Sequence, residues 1–597
     1  MTTESESRPP PISEFVYDPT LPEHQPWCVQ APPVRNRMIL TDLTVDFPEA
    51  SSKVPANEPD VHPKARWRTL EFRIYTAVAC VVLPIMAWIP ISLSMCTSPT
   101  VPLHLLVKLL NTARLYTASN PNYQFFEKRL SPGWIPFRKV DNSDAQYRGF
   151  RNSFWLLTVL ANAYLFIKFV WITSARSPPP SNLYLIRYNL VCSALFLIGL
   201  HGASLIKILL ILTINFLIAR LCRGSKAGPV LTWVFNGAVL FANDRYNGYR
   251  FGDILPSLSV LDSYQGAYAR WHIVFNLTML RLVSFNMDYY WACHAKDFPE
   301  YRHHRTTTYK ERKASHPRHM YCYINYISYV LYPPLYIAGP IMSFNDYLWQ
   351  HRRPMHIYAR VAMLYFIRLL ASLLTMELIL HFMYVVAIKD TKAWVGNTPA
   401  QISMIGFWNL IIVWLKLLIP WRFFRLWAIM DGIEVPENMV RCMANNYSTL
   451  GFWRSWHRSY NLWIIRLILN TTLVFTFVAL WHDLTFRLLA WGWLVSLFIL
   501  PELIATYLLP ASKYGTKRWY RHVCALGGVA NVLMMMGANL VGFVIGTDGI
   551  QFFVRELFGT TQGLVFFGAA CVCLFVGVQL MFEYREEERR RGIYRRC

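Results

Sequence analysis

The sequence predicts an all-α, polytopic membrane protein of roughly ten to thirteen transmembrane or re-entrant helices. Of its 597 residues, 54% are hydrophobic and only 16% are charged. Apolar stretches recur from about residue 74 almost to the C-terminus, and about 20 apolar residues are enough to cross a ~30 Å hydrocarbon core. A soluble chain of this length would be divided into several domains by polar linkers, whereas short basic or aromatic loops separate most of these stretches.

The two ends of the chain differ in composition from the region between them. Residues 1–63 are rich in Pro, Ser, Glu and Asp and lack the basic start and apolar segment of a signal peptide, so they predict a disordered N-terminal tail. Residues 64–582 form the predicted membrane-embedded domain. Residues 583–597, EYREEERRRGIYRRC, predict a basic C-terminal tail that lies at a membrane surface.

The predicted spans are not all continuous. They lie near residues 74–95, 153–173, 184–201, 204–222, 228–243, 271–286, 322–344, 357–388, 403–424, 466–482, 486–509, 523–546 and 563–582. The fourth contains Lys207, the seventh contains three prolines, and the tenth ends on His482 after about 15 apolar residues. Such segments are tolerated at membrane depth only where protein or a polar cavity satisfies the freed backbone groups. An internal cavity is therefore predicted.

The charge pattern indicates a membrane partner rather than nucleic acid. The net charge is +24, but Lys and Arg are scattered through loops, as is typical of loops that face anionic lipid headgroups. The central basic loop, residues 294–319, is interpreted as cytosolic, with acyl-CoA or headgroup contact as the alternative. Its adjacent His303 and His304 do not have metal-ligand spacing, and the twelve cysteines form no CxxC pair. Neither a metal site nor a disulfide scaffold is predicted.

Three polar elements inside apolar surroundings are candidates for chemistry: FWRSWHRSYNLW (452–463), ALWHDL (479–484) and YPPLYIAGPIMSFNDY (332–347). If residues 453–463 are helical, His457 and Asn461 lie at i and i+4 on one face. His482 precedes Asp483, which on a helix points about 100° away, so a direct pair between them is disfavoured. Because a histidine in an apolar helix is often a hydrogen-bonded structural residue, residue type alone does not assign His482 to catalysis.

The order of these elements resembles the membrane-bound O-acyltransferase (MBOAT) family. A W-x-x-W-polar element, Trp453 to His457, precedes a Trp481–His482 pair. Two further blocks, GWIPFRKVDNSDAQYRGFR (133–151) and SFNMDYYWACH (284–294), extend the resemblance over most of residues 64–582, specifically to the fungal glycerol uptake and hedgehog acyltransferase-like group. The resemblance implies an MBOAT fold around a central tunnel, in which an acyl-CoA thioester meets an acceptor hydroxyl.

The resemblance also assigns site residues. It places the invariant histidine of the family on His482 and its second polar position, usually Asn or Asp, on His457. A neutral imidazole is a suitable base near pH 7, so His482 is the predicted general base. His457, Arg454 and Asn461 are predicted to stabilise the carbonyl oxygen or bind the acceptor headgroup. Trp453 and Trp481 complete the predicted substrate site.

Other roles remain open for these neighbours. An interfacial belt of aromatic and basic residues is the alternative to substrate binding. No cofactor or metal is predicted, and acyl-CoA is a co-substrate. One departure from the family concerns the segment after the first element, where relatives usually have a stretch like YIYIPLGG. In this chain NLWIIR passes directly to LILNTTLVF, so either a loop has been lost or the coding sequence lacks an exon end.

The predicted function is a multi-pass O-acyltransferase of the endoplasmic reticulum membrane that moves a long acyl chain from acyl-CoA to a lysolipid. The resemblance favours sn-2 reacylation of a lyso-GPI during remodelling of GPI-anchor lipids. The alternatives are a glycerol transporter or its regulator, and a catalytically silent scaffold. A transporter should contain internal repeats with ionisable residues at matching positions, whereas the polar residues within apolar segments concentrate in 450–490.

Overall fold

The structure is a computed structural model that describes residues 27–28, 64–95, 121–174, 181–295, 311–356, 359–467, 471–482, 486–591 and 593. Apart from residues 27–28, the predicted N-terminal tail lies outside the described residues. Residues 296–310 of the predicted basic loop lie outside them as well.

Helices dominate the described residues. The first half of the chain contributes α1 (Leu70–Leu93), α2 (Tyr123–Phe126), α3 (Ala145–Thr173), α4 (Leu185–His201), α5 (Leu205–Cys222), α6 (Ala227–Arg245), α7 (Phe251–Ile254) and α8 (Trp271–His294). Then follow α9 (Tyr323–Val330), α10 (Pro333–Tyr336), α11 (Phe344–Arg352), α12 (Ala359–Phe382), α13 (Val385–Asp390), α14 (Pro399–Met430), α15 (Thr449–Ser455) and α16 (Arg458–Ile464). The last are α17 (Thr471–His482), α18 (Phe486–Leu508), α19 (Ala511–Tyr514), α20 (Tyr520–Asn539), α21 (Gly546–Phe558) and α22 (Thr561–Arg590).

Strands are short and few among the described residues. β1 (Trp27–Cys28) pairs in parallel with β4 (Met355–His356), and β2 (Leu130–Pro132) pairs antiparallel with β3 (Lys139–Asp141). The predicted all-α architecture is therefore confirmed.

Local sequence explains where the long helices begin. The Asp144 side chain accepts a hydrogen bond from the Tyr147 amide at 2.8 Å and caps α3. At the start of α14, Thr398 and Gln401 form a reciprocal capping box, and Pro399 occupies the first helical position, where its missing N–H is not needed. These caps satisfy amides that would otherwise be unpaired at the helix ends.

Eight helical stretches among the described residues are long and apolar enough to cross a membrane. They comprise Leu70–Leu93, Ala145–Thr173, Asn182–Cys222, Ala359–Phe382, Pro399–Met430, Leu488–Leu508, Tyr520–Val544 and Thr561–Arg590. The third contains α4 and α5, which separate at Gly202, where φ is +56° and an added Cβ would meet the carbonyl oxygen of Tyr264. Counted with α4 and α5 as separate helices, these stretches contain nine helices. Adding α6, the largely buried α8 and the short α17 gives twelve among the described residues, which is within the predicted range of ten to thirteen.

The segment before α1 meets the last turns of α22. The Arg66 amide, just before α1, donates to Glu583 near the end of α22 at 3.0 Å. Glu588, also on α22, accepts two hydrogen bonds from Arg441 at 3.1 and 2.8 Å. α22 thus continues as a helix to Arg590, into the predicted C-terminal tail, and its acidic residues are paired rather than free at a surface.

The predicted span 322–344 is broken into α9 and α10, as its prolines predict. Arg281 of α8 is 3% exposed and donates to the carbonyl oxygens of Val330, at 2.9 Å, and Leu335. A charged donor from a neighbouring helix therefore satisfies backbone acceptors at the interruption. The expectation that protein groups support the broken segments is confirmed at this position.

A buried charge cluster joins the end of α14 to α3. The Lys168 ammonium donates to the Asp431 carboxylate at 2.5 Å and to the Asp431 carbonyl at 2.7 Å. The hydroxyls of Tyr332 and Tyr164 also donate to this carboxylate. Because the carboxylate has three donors, its desolvation is offset by charge-assisted hydrogen bonds.

Replacing Asp431 by Asn should destabilise the folded protein, because the buried Lys168 ammonium would lose its counter-charge. Removing one partner of a buried ion pair typically costs about 3–5 kcal/mol. Thermal unfolding of the purified protein in detergent should show a clearly lower midpoint. Glu127→Gln serves as the control, since the Lys139–Glu127 pair is exposed and such pairs contribute about 1 kcal/mol or less. Equal midpoints for the two variants would contradict the prediction.

Candidate active site

One large cavity of about 2350 Å³ lies inside the bundle. Its wall is mostly apolar and includes parts of α1, α3, α14, α17, α20, α21 and α22. Along α14 the lining residues run from Ala400 to Phe424, which at 1.5 Å per residue spans about 36 Å. The cavity therefore extends over a length comparable with the ~30 Å hydrocarbon core, and the predicted internal cavity is confirmed.

All six predicted site residues line this cavity. They are His482, His457, Arg454, Asn461, Trp453 and Trp481. They come from three short helices and the turn between two of them, so the fold brings together the two sequence elements that carry the histidines. Their chemical roles stay predictions.

Residues 453–463 do not form the continuous helix that was the condition for placing His457 and Asn461 on one helix face, because the helix is interrupted at His457. α15 ends at Ser455, α16 begins at Arg458, and His457 has φ +49° and ψ +46°. The i, i+4 argument therefore does not apply, although His457 and Asn461 both line the cavity. Non-glycine residues rarely adopt this left-handed conformation, which persists where surrounding contacts enforce it.

Asn438 holds the turn in place. Its carbonyl oxygen accepts from the Arg458 amide and its side-chain oxygen from the Ser459 amide, both at 3.1 Å. The Ser459 hydroxyl in turn accepts from the Ile341 amide at 2.9 Å. The third predicted element, residues 332–347, thus supports the turn, and its Ile337 also reaches the cavity wall.

His457 is enclosed by aromatic rings. Its ring centroid lies 4.6 Å from that of Trp421 and 5.5 Å from that of Tyr460. Its Nδ1 atom is buried and has no hydrogen-bond partner among the described residues. In this turn, outside the candidate spans, burial and then the nearby His482 lower the pKa of His457 to about 3. His457 is therefore neutral near pH 7.

His482 is the last residue of α17 and is exposed at the cavity wall. The preceding Trp481 fixes this end of the helix, since its Nε1 donates to the Asn276 carbonyl at 2.9 Å and its own carbonyl accepts from the Asn276 side chain at 3.4 Å. Asn276 belongs to α8, so this largely buried helix positions the catalytic candidate. Asp483 lies outside the described residues, as do residues 468–470 at the shortened junction.

A row of four aromatic rings, which we call the histidine row, connects His457 with His482. From His457 to Tyr460, to Trp481 and to His482 the successive centroid distances are 5.5, 5.7 and 4.7 Å. The Tyr460 and Trp481 rings are stacked with an interplanar angle of 24°. Tyr460 was not among the predicted site residues, although its position three residues after His457 in the same element was a signal for it.

The remaining predicted residues differ in their surroundings. Arg454 is exposed at the cavity. The backbone N–H of Asn461 donates to the backbone carbonyl of His457 at 3.0 Å. Trp453 packs edge-on against Phe475 and Trp491, with centroid distances of 5.3 and 5.6 Å. Arg454 is thus positioned to meet a ligand, whereas Trp453 mainly shapes the apolar wall.

Comparison with known proteins gives the family. The MBOAT (membrane-bound O-acyltransferase family) profile matches residues 260–547, which include both histidines. The chain is 44% identical over 554 residues to the membrane-bound O-acyltransferase GUP1 of Saccharomyces cerevisiae, covering 89% of this chain and 94% of the relative. The chain belongs to the membrane-bound O-acyltransferase family.

Other relatives agree with this assignment. The membrane-bound O-acyltransferase gup1 of Schizosaccharomyces pombe is 40% identical over 80% of this chain and 86% of its own length. A mouse protein-cysteine N-palmitoyltransferase, HHAT, is 24% identical over 28% of this chain and 37% of its own length. Membership in the MBOAT family confirms the predicted resemblance and, with the eight apolar stretches, the predicted multi-pass membrane protein.

The contact between α17 and α18 provides a test of His482 placement in this MBOAT cavity. An added Cβ at Gly492 of α18 would lie 2.8 Å from the Phe475 carbonyl oxygen of α17. Gly492→Ala should therefore displace α17 and its terminal His482, and lower acyl transfer about 10- to 100-fold, since ~1 Å of misplacement can have this effect. The measurement is activity per amount of folded protein. Gly527→Ala is the control, because no described atom lies within 4 Å of its added Cβ.

Two substitutions at His457 separate its side chain from its backbone conformation. Asn and Gly both tolerate positive φ, so neither should disturb the turn. Asn keeps a polar group and should retain activity within about tenfold, whereas Gly should lose about 100-fold or more.

Because the lowered pKa keeps His457 neutral above about pH 3, the pH–activity profile from pH 5 to 8 should keep its shape in His457→Asn. A flattened profile would contradict this neutral role.

Proposed function

We propose that this protein transfers a long fatty acyl chain from acyl-CoA to the hydroxyl of a lysolipid, most specifically the sn-2 hydroxyl of a lyso-GPI, in the endoplasmic reticulum membrane. The observation that carries the proposal is the presence of His457 and His482 on the wall of one membrane-length apolar cavity. The lyso-GPI acceptor and the endoplasmic reticulum follow from the resemblance to the fungal glycerol uptake group.

The size and chemistry of the cavity support a lipid reaction. Pockets for drug-sized ligands usually measure roughly 300–1,000 Å³, and this cavity is more than twice the upper value. It has room for an acyl chain together with a lipid acceptor. Apolar walls also exclude water, which would otherwise compete with the acceptor hydroxyl for the thioester.

The proposed reaction uses one proton transfer in each direction. His482 accepts the proton of the acceptor hydroxyl as its oxygen attacks the thioester carbonyl carbon, and the carbonyl oxygen becomes negatively charged. The tetrahedral intermediate then collapses, the carbon–sulfur bond breaks, and the imidazolium returns the proton to the departing CoA thiolate. The products are an ester and free CoA, with His482 regenerated.

The neighbours of the base complete the site. His457 is neutral, so it can donate a hydrogen bond to the developing oxyanion without adding a charge that would oppose protonation of His482. The exposed guanidinium of Arg454 lies where it can bind a phosphate of CoA or of a phosphoinositide headgroup. Asn461 contributes a side-chain amide to the same cavity wall, as a further polar group for the acceptor.

Replacing His482 by Ala should reduce acyl transfer about 10²- to 10⁴-fold, the usual contribution of a general base. The assay follows radiolabelled palmitoyl-CoA into lyso-GPI, prepared by phospholipase A2 treatment of extracted GPI lipid. His294→Ala is the matched control, because His294 is exposed at the end of α8 and is not part of the cavity wall. Wild-type transfer by well-folded His482→Ala would remove His482 from the mechanism.

The same preparation distinguishes the other functions. Glycerol flux in reconstituted vesicles without label in lipid would indicate a transporter. Neither flux nor label, with a well-folded protein, would indicate a silent scaffold.

A further inference from the structure

Three buried polar atoms without a partner in the described part of the chain lie in or beside the histidine row, which connects His457 with His482. Polar atoms buried in proteins are nearly always hydrogen-bonded, and each exception needs an explanation. The hydroxyl of Tyr460, Nδ1 of His457 and Nε1 of Trp453 are buried without a hydrogen-bond partner among the described residues. All three residues line the cavity.

Tyr460 is the residue of this set whose ring contacts both His457 and Trp481, the neighbour of His482. Its side chain is 7% exposed, stacks on Trp481 and meets the His457 ring at 65°. The Trp463 ring, with its centroid 5.7 Å away, adds a third aromatic contact. Three ring contacts restrict the side chain, so the Tyr460 ring and its hydroxyl are held in a fixed orientation within the histidine row.

Buried tyrosines elsewhere in the protein show the ordinary arrangement. The hydroxyl of Tyr329 donates to the Met342 carbonyl at 2.7 Å, and that of Tyr326 to the Leu212 carbonyl at 2.9 Å. Leaving a buried hydroxyl unpaired lowers the stability of the folded protein. Packing alone would be served equally well by Phe at position 460, so the hydroxyl indicates a partner that arrives with the substrate.

We propose that the Tyr460 hydroxyl donates a hydrogen bond to the carbonyl oxygen of the acyl thioester and makes Tyr460 a further catalytic residue. This inference rests on the proposed acyl transfer. As the acceptor oxygen bonds to the carbonyl carbon, the carbonyl π electrons move to the oxygen that Tyr460 contacts, while the acceptor proton goes to His482. When the carbon–sulfur bond breaks, the carbonyl re-forms and the hydrogen bond weakens.

The proton stays on Tyr460 throughout. Burial raises the pKa of the Tyr460 hydroxyl, which lies in α16 outside the candidate spans, well above its usual value. The group is therefore a donor at physiological pH and not a second base. A donor that is already in place when charge develops needs no reorganisation, which is why such groups contribute strongly to catalysis.

Tyr460→Phe tests the inference, because it keeps the ring and removes only the hydroxyl. In purified full-length protein with palmitoyl-CoA and lyso-GPI, kcat should fall about 10²- to 10³-fold, as for loss of one oxyanion donor. KM for both substrates should stay within about twofold. The thermal midpoint should stay the same or rise, since the hydroxyl has no partner whose loss would be felt.

Tyr329→Phe is the matched control, since it removes a hydroxyl that has a structural partner and does not line the cavity. Its midpoint should fall while its kcat per folded molecule stays near the wild-type value. This pattern is the reverse of that expected for Tyr460→Phe. A structural role for the Tyr460 hydroxyl would instead give both variants a lowered midpoint and an unchanged kcat.

The outcomes separate this inference from the proposed function. Wild-type kcat in Tyr460→Phe, with activity lost in His482→Ala, would overturn only the role of Tyr460. A lowered midpoint with unchanged kcat would do the same. Absence of label transfer by the wild-type protein would overturn the proposed acyl transfer and this inference with it.

Discussion

The arrangement of the site depends on one backbone constraint, the left-handed turn at His457. Its positive φ is unfavourable for a residue with a side chain, and hydrogen bonds from the next two amides to Asn438 offset that cost. The turn ends α15 and starts α16, so it sets the direction from which Arg454 and Tyr460 approach the cavity. Asn438 is absent from the cavity wall, yet the placement of His457 and Tyr460 relies on it.

The same physical rule governs the polar groups far from the site. Inside a bilayer each charge or backbone carbonyl needs a partner from the protein. Arg281 supplies one to the broken segment of α9 and α10, and Lys168 supplies one to Asp431. Tyr460 and His457 differ from these groups, since the Tyr460 hydroxyl and Nδ1 of His457 are buried on residues of the cavity wall without a hydrogen-bond partner among the described residues. In the proposed reaction, the partner of each atom arrives with the substrate.

Sequence predicted the span positions well because hydropathy is a local property, and α17 and α18 lie close to their predicted bounds. The prediction that His457 and His482 lie in one site came from the family resemblance. No sequence periodicity relates the two elements, because an irregular junction separates them. Neither source revealed the turn at His457, because a positive φ leaves only a weak mark in residue type when the residue is not glycine. Contacts from distant elements, such as Asn276 on Trp481 and Trp421 on His457, were equally invisible.

The apolar wall of the cavity has a consequence for substrate exchange. A fatty chain that moves from the bilayer interior into such a cavity leaves one hydrocarbon environment for another, so the ~0.8 kcal/mol per methylene that favours leaving water is almost absent. Chain length alone then does little to retain a lipid. In the proposed reaction, residence is governed by the polar end of each substrate, at Arg454 and the histidines. Esterification removes the O–H group that the acceptor donated to His482, which weakens the hold on the product and favours its departure into the membrane.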